Sequence, residues 1–116
     1  MAVQKFEDLL VWQKAQDLAV AVYNIFDDNK DFSFKDQIKR ATVSISNNIA
    51  DGFDRNSNAD FTRFLYFSLA STSEVRSMLY LSIRLNYIDK NEAKNLIENT
   101  NEVSKMLHGL IKSIKN

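Results

Sequence analysis

The chain has 116 residues, 45% of them hydrophobic, enough for one compact domain with a core of its own. Lys plus Arg and Asp plus Glu total 15 each, so no net charge draws the molecule toward nucleic acid or an anionic membrane. Cysteine is absent and His108 is the single histidine, which excludes disulfides, thiolate metal sites and cysteine nucleophiles and removes most catalytic triads.

Proline is also absent and glycine occurs only at Gly52 and Gly109, so the joints between elements must be found from caps and polar clusters. A first helix is predicted over about 8–27, where Val11, Ala15, Leu18, Val22 and Phe26 recur at spacings of three and four, with Trp12, Ala19 and Tyr23 flanking. The aperiodic polar run Asp27 to Asp31 ends it. Ser33, with Asp36 three positions on, reads as an N-cap opening a second helix over about 33–55. Phe34, Ile38, Ala41, Ile45 and Ile49 share its apolar face. Ser57 and Asp60 repeat the capping pattern and open a third helix over about 59–86. After a joint at Asn86-Tyr87-Ile88, Asp89 and Glu92 start a fourth helix over about 89–115, its stripe running through Ala93, Leu96, Ile97, Val103, Leu107, Leu110 and Ile114. No segment alternates with period two. The expected architecture is all-α: a single domain over 1–116, folded as an antiparallel up-down-up-down four-helix bundle. Helices of about 25 residues would make it a rod of roughly 38 Å.

The charged N-terminal segment, with Lys5, Glu7 and Asp8, does not read as a signal peptide, and no run approaches the ~20 apolar residues of a membrane span. With a cysteine-free composition this points to a cytoplasmic protein with no membrane partner.

The third helix carries more apolar surface than one bundle core consumes. At about 100° per residue, Phe61, Phe64, Leu65, Val75, Leu79 and Ile83 form one face, while Phe67, Ala70, Met78, Leu81 and Leu85 form a second stripe. Tyr66, Leu69 and Tyr80 fill part of the rest. A helix apolar nearly all round is covered on more than one side. The candidate oligomer interface is therefore Phe67, Met78, Leu81 and Leu85. The plainer alternative is that large aromatics merely wrap further round the core.

Beside the apolar stripe of the second helix lie Arg40, Ser44, Asn47, Asn48, Asp51 and Arg55, and Glu74 interrupts the second stripe of the third helix. A carboxylate among apolar residues needs a partner, which predicts pairing of Glu74 with Arg40 or Arg55, within the bundle or across a subunit boundary. A solvated face, a polar network fixing helix register, and an acid/base site built on Asp51 and Glu74 compete for this stripe. The network accounts for Glu74 best. Gly52 falls within the apolar stripe and marks either a close approach of the facing helix or a helix end.

Lys105, Lys112 and Lys115 make the C-terminal end locally basic and are the candidate nucleic-acid contacts, although Glu98 and Glu102 lie close to that side. No recognised nucleic-acid motif or phosphate loop is present. His108 has no partner for a metal, Trp12 and Tyr23 read as core or interface aromatics, and no cofactor is expected.

Several segments taken together resemble a known family: Phe6-x-x-Leu9-x-Val11-Trp12-Gln13-Lys14-Ala15, then Gln37-x-x-Arg40-Ala41-x-x-Ser44-Ile45-x-x-Asn48-Ile49-Ala50-Asp51-Gly52-x-x-Arg55, then Phe61-x-x-Phe64-Leu65 and Ser71-x-x-Glu74. The chain is similar along nearly its whole length to the bacterial 23S rRNA intervening-sequence proteins. That resemblance implies a left-handed antiparallel four-helix bundle, assembly into a ring-like homopentamer, and no enzymatic activity. It places the polar motif positions at Arg40, Ser44, Asn48, Asp51, Arg55 and Glu74, with Asp51 where the family more often carries Glu. A related branch, the accessory variability proteins of diversity-generating retroelements, binds nucleic acid and a reverse transcriptase. The expected function is a non-enzymatic, self-assembling bundle serving a structural or macromolecular-interaction role; the alternative is a nucleic-acid or reverse-transcriptase accessory protein.

Overall fold

A computed structural model of the chain describes residues 3–115; Met1, Ala2 and Asn116, which the single-domain expectation includes, lie outside the described residues. The described residues form a short 3-10 turn at Phe6–Asp8 and four helices, α1 Leu10–Phe26, α2 Phe32–Phe53, α3 Asn58–Arg84 and α4 Lys90–Lys115, with no strand among them.

The helix ends follow local chemistry, in places against expectation. α1 starts at Leu10, after the expected position, because Leu9 is extended and buried beneath the bundle. The preceding turn is held by Phe6, packed edge-on against Trp12, and by Gln13 Nε2, which donates to the Glu7 carbonyl at 3.0 Å. α2 starts before Ser33: its N-cap is Asp31, whose carboxylate accepts from the Phe34 N–H at 3.1 Å. The same carboxylate accepts the Tyr87 hydroxyl at 2.6 Å, so a side chain from the α3–α4 joint holds the cap in place. α3 opens where the sequence predicts, with Ser57 Oγ accepting from the Asp60 N–H at 3.1 Å. It ends without glycine. Asn86 takes the left-handed conformation at φ 58°, and the Tyr87 N–H returns to the Ser82 carbonyl at 2.9 Å, closing the terminus as a C-cap motif does.

Each helix buries one stripe. Val11, Ala15, Leu18, Val22 and Phe26 are all buried, as are Phe34, Ile38, Ala41, Ile45 and Ile49 of α2. In α4 the last full contact is Ile111, with Leu110 and Ile114 only half-buried, so the stripe turns slightly from its expected line. Polar residues share the interior. Thr42, Ser46, Ser68, Thr72, Ser82 and Thr100 are buried, and each hydroxyl donates to a carbonyl, which removes the penalty of burying it. Ser68 Oγ reaches across the helix pair to the Ile45 carbonyl at 2.8 Å, joining α2 and α3 directly.

Near the α2 C-terminus, α2 and α3 approach closely. Gly52 is buried inside α2, and a Cβ placed on it would lie 2.6 Å from Phe64 Cβ and 3.3 Å from the Phe61 carbonyl oxygen. Close approach is borne out; α2 also ends one residue later, at Phe53, but its cap is Asp54 and Gly52 has no positive φ, so the glycine itself is not the cap. α1 packs on α2, α2 on α3, α3 on α4, and α4 back on α1. The molecule measures 43 × 21 × 20 Å, close to the length the helices require.

Candidate interaction surface

The polar stripe and the second apolar stripe meet along the outer seam between α2 and α3. Helix register decides which side chains meet there. Gln37 lies opposite Glu74, Ser44 opposite Ser71, and Gly52 opposite Phe61 and Phe64. Within the seam, Ser71 Oγ donates to Ser44 Oγ at 3.0 Å. Asn48 Nδ2 donates to both the carbonyl and the hydroxyl of Ser44 at 2.9 Å. Ser44 thus joins α2 to α3 through Ser71, and Asn48 braces Ser44 from one turn along α2.

The expected pairing of Glu74 with Arg40 or Arg55 does not form within the chain. Glu74 is exposed and accepts from Gln37 Nε2 at 3.2 Å. Arg40 bonds Asp36 at 2.8 Å, one turn back on α2, and Arg55, just past the α2 C-terminus and not on the helix as expected, bonds Asp51 at 3.3 Å. The physical reason is proximity. A carboxylate four residues back already lies beside its arginine on the helix surface, and an exposed Glu74 keeps its water and needs no buried partner. The Asp51–Glu74 acid/base pair is likewise not formed: Asp51 is fourteen residues past Gln37 on α2, about 21 Å along the helix axis at 1.5 Å per residue.

Of the expected interface residues, Phe67, Leu81 and Leu85 stay 43%, 44% and 43% exposed, whereas Met78 is only 8% exposed and belongs to the core. Met78 sits at the edge of the inward face beside Val75 and Leu79, and its unbranched side chain follows them inward. Tyr66 and Tyr80 are exposed on the α4 side of the same helix.

Arginine–aromatic stacking in this seam was not read from the sequence. The Arg55 guanidinium stands 4.4 Å from the Phe64 ring centre, and Arg63 lies over both Phe64 and Phe67, at 5.0 and 5.6 Å. Phe64 and Phe67 meet edge to face at 5.4 Å. The four-residue spacing of Arg63 and Phe67 was the available signal.

Lys105, Lys112 and Lys115 are exposed on α4, with His108 on the same outward side. Lys115 Nζ lies 5.5 Å from the Tyr66 ring, and Glu102 is engaged by Lys14 at 3.3 Å. At the opposite end of the molecule, the Tyr87 hydroxyl and then the Phe34 N–H hold the Asp31 carboxyl below the usual carboxylate range. The Tyr87 phenol is pushed up by donating to Asp31. Among the described residues no group of three His, Asp or Glu side chains could hold a metal ion, and no helix is long and apolar enough to cross a membrane.

The model of the 23S rRNA-intervening sequence protein family matches residues 7–109. The chain is also similar in structure to a protein with unknown function from the S23 ribosomal protein family of Bacteroides thetaiotaomicron VPI-5482. That likeness has a TM-score of 0.83 and 30% identity, and covers 89% of this chain and 99% of the other. No curated protein matches.

Proposed function

Because the chain belongs to the 23S rRNA-intervening sequence protein family, we propose that it is a non-enzymatic, cytoplasmic bundle that assembles with copies of itself and offers the composite surface to a macromolecular partner. The observation carrying this reading is the flank of α3, where Phe67, Leu81 and Leu85 remain more than two-fifths exposed on a helix whose inner face is already filled. Large apolar side chains aligned along one helix flank mark an interface far more often than a free surface. The architecture belonging to this reading is the antiparallel, left-handed up-down-up-down bundle. Its antiparallel part is supported by successive facing pairs, Gln16–Ser46 then Tyr23–Lys39, Gln37–Glu74 then Ser44–Ser71, and Tyr66–Lys115 then Arg76–Asn101, whose numbers rise on one helix as they fall on its neighbour. The homopentamer implied by the family resemblance is part of the proposal.

Light scattering behind size exclusion tests it. The parent should elute with a mass several times the 13.4 kDa of one chain. A Phe67→Ser/Leu81→Ser/Leu85→Ser variant should run as one folded protomer. A parent that stays monomeric at micromolar concentration overturns the reading.

A second reading is favoured by one observation, the exposed Lys105, Lys112 and Lys115 on the outward side of α4. Repeated by assembly, this strip would bind nucleic acid weakly per copy and measurably per ring, alone or as a reverse-transcriptase accessory. A salt-dependent shift of labelled RNA or DNA, lost in a triple Lys→Gln variant, supports it, and no shift at low ionic strength removes it.

A further inference from the structure

A second apolar face lies on the other side of α2. Ala19, Val20 and Tyr23 of α1 and Val43 of α2 line a shallow groove, with Gln16 donating to Ser46 Oγ at 3.0 Å beside it. Val20 is 60% exposed and Tyr23 43% exposed, more than the bundle's own packing requires. The groove also has a fixed charge: Lys39 Nζ stands 4.6 Å from the Tyr23 ring centre, held at the wall by the aromatic face. Among the described residues, no carboxylate lies within 4 Å of Lys39 and no cation within 4 Å of Glu74.

Resting on the self-assembly proposed above, we infer that the α3 flank of one copy, carrying Phe67, Leu81 and Leu85, seats in the α1–α2 groove of the next copy, with Glu74 against Lys39. Three features of the two faces select this occupant. Each face is apolar with one unmatched charge at its middle or wall, and the two charges are opposite in sign. The groove is a channel between two helices, the shape an apolar helix flank fills. Docking flank on flank about a two-fold axis is disfavoured, because matching Phe67 of one copy with Leu81 of the other centres the axis on position 74 and brings two Glu74 carboxylates face to face. Contact between two different faces is heterologous, so copies add head to tail. Both faces flank α2, the flank held to it by Gln37–Glu74 and Ser44–Ser71, the groove by Gln16–Ser46. Successive copies therefore turn instead of running straight, as the proposed homopentamer requires.

Two exposed-site variants test this, with helix content and melting checked by circular dichroism. Val20→Glu blocks the groove and leaves the flank; Leu81→Glu blocks the flank and leaves the groove. Each alone should be monomeric, and an equimolar mixture should form a one-to-one dimer, since one intact face of each kind remains. If Val20→Glu assembles like the parent, the groove is not the receptor and the inference falls while self-assembly stands. A monomeric parent instead overturns self-assembly itself. Should Val20→Glu fail to fold, charge reversal replaces it: Lys39→Glu or Glu74→Lys alone should weaken assembly about tenfold, and the two together should restore it. Single reversals without effect, or a double reversal no better than either single, overturn the inference.

Discussion

Replacing Gly52 by alanine should destabilise the protein, although alanine is the better helix former. The added Cβ would lie 2.6 Å from Phe64 Cβ, 3.2 Å from Phe61 Cδ1 and 3.3 Å from the Phe61 carbonyl oxygen. Ordinary carbon–carbon contact is about 3.5–4.0 Å, so the start of α3 must retreat by about 1 Å. Rotating Phe64 gives no relief, because its Cβ is fixed to the backbone. Overpacking of this kind costs about 3 kcal/mol at the upper end of its usual range. Alanine returns about 1 kcal/mol of helix propensity, leaving a net loss of about 2 kcal/mol, or roughly 8 °C in melting temperature for a domain of this size. Gly109 supplies the control. It is exposed inside α4, has no positive φ, and nothing lies within 4 Å of an added Cβ, so Gly109→Ala should stabilise by up to about 1 kcal/mol. Both are read from thermal and urea unfolding followed by circular dichroism at one fixed protein concentration, since assembly shifts apparent stability. If Gly52→Ala is as stable as the parent or more so, the helices do not approach as closely as described and the packing argument for the α2–α3 seam fails.

Truncating Leu79, fully buried in the second half of α3, to alanine should cost about 2–5 kcal/mol; a loss below 1 kcal/mol in urea unfolding would mean this face is not core. Ser68→Ala removes the hydroxyl that crosses to the Ile45 carbonyl and should cost about 1 kcal/mol by the same measurement. The Asp31 carboxyl is held below its usual range by Tyr87 first and the Phe34 N–H second, so its contribution is complete above the unfolded carboxylate value and drains away as pH falls through the lowered folded value. Urea midpoints of Asp31→Ala should therefore decline less steeply than the parent in that acid window, and parallel acid limbs would refute the assignment. Tyr87, pushed up, stabilises fully below the ordinary tyrosine value and loses its contribution as pH rises from there through its raised folded value, an alkaline loss that Tyr87→Phe should abolish.

How much of this was legible in the chain depended on whether the deciding neighbour was local. The α1 stripe from Val11 to Phe26 and the Ser57 cap of α3 are set within one or two helical turns, and both stood in the sequence. The α2 start was misplaced because Ser33 and Asp31 are both good caps, and the choice was settled by Tyr87, fifty-six positions away. Met78 read as surface because a wheel has no depth, and a flexible side chain at the stripe's edge can turn inward. Glu74 read as an acid in need of a partner because the residues one turn away on its helix face, Ala70 and Met78, are apolar, whereas Glu74 and most of that flank are exposed. The interior hydroxyls Thr42, Ser68, Thr72 and Thr100 gave no hydrophobic signal, since each hides its polarity in a carbonyl bond. Gly52 stood out in a proline-free chain with one other glycine, but the sequence left a close approach and a helix end equally open and did not name the partner helix.

Small-angle scattering on the parent protein at micromolar concentration addresses the self-assembly proposal most directly. A lone protomer has a Cα radius of gyration of 14.5 Å and a longest dimension of 43 Å. An assembly that covers Phe67, Leu81 and Leu85 should scatter with a clearly larger radius and a forward intensity of several chains, both reverting to protomer values in Leu81→Glu. A parent curve matching the 14.5 Å protomer would contradict the proposal.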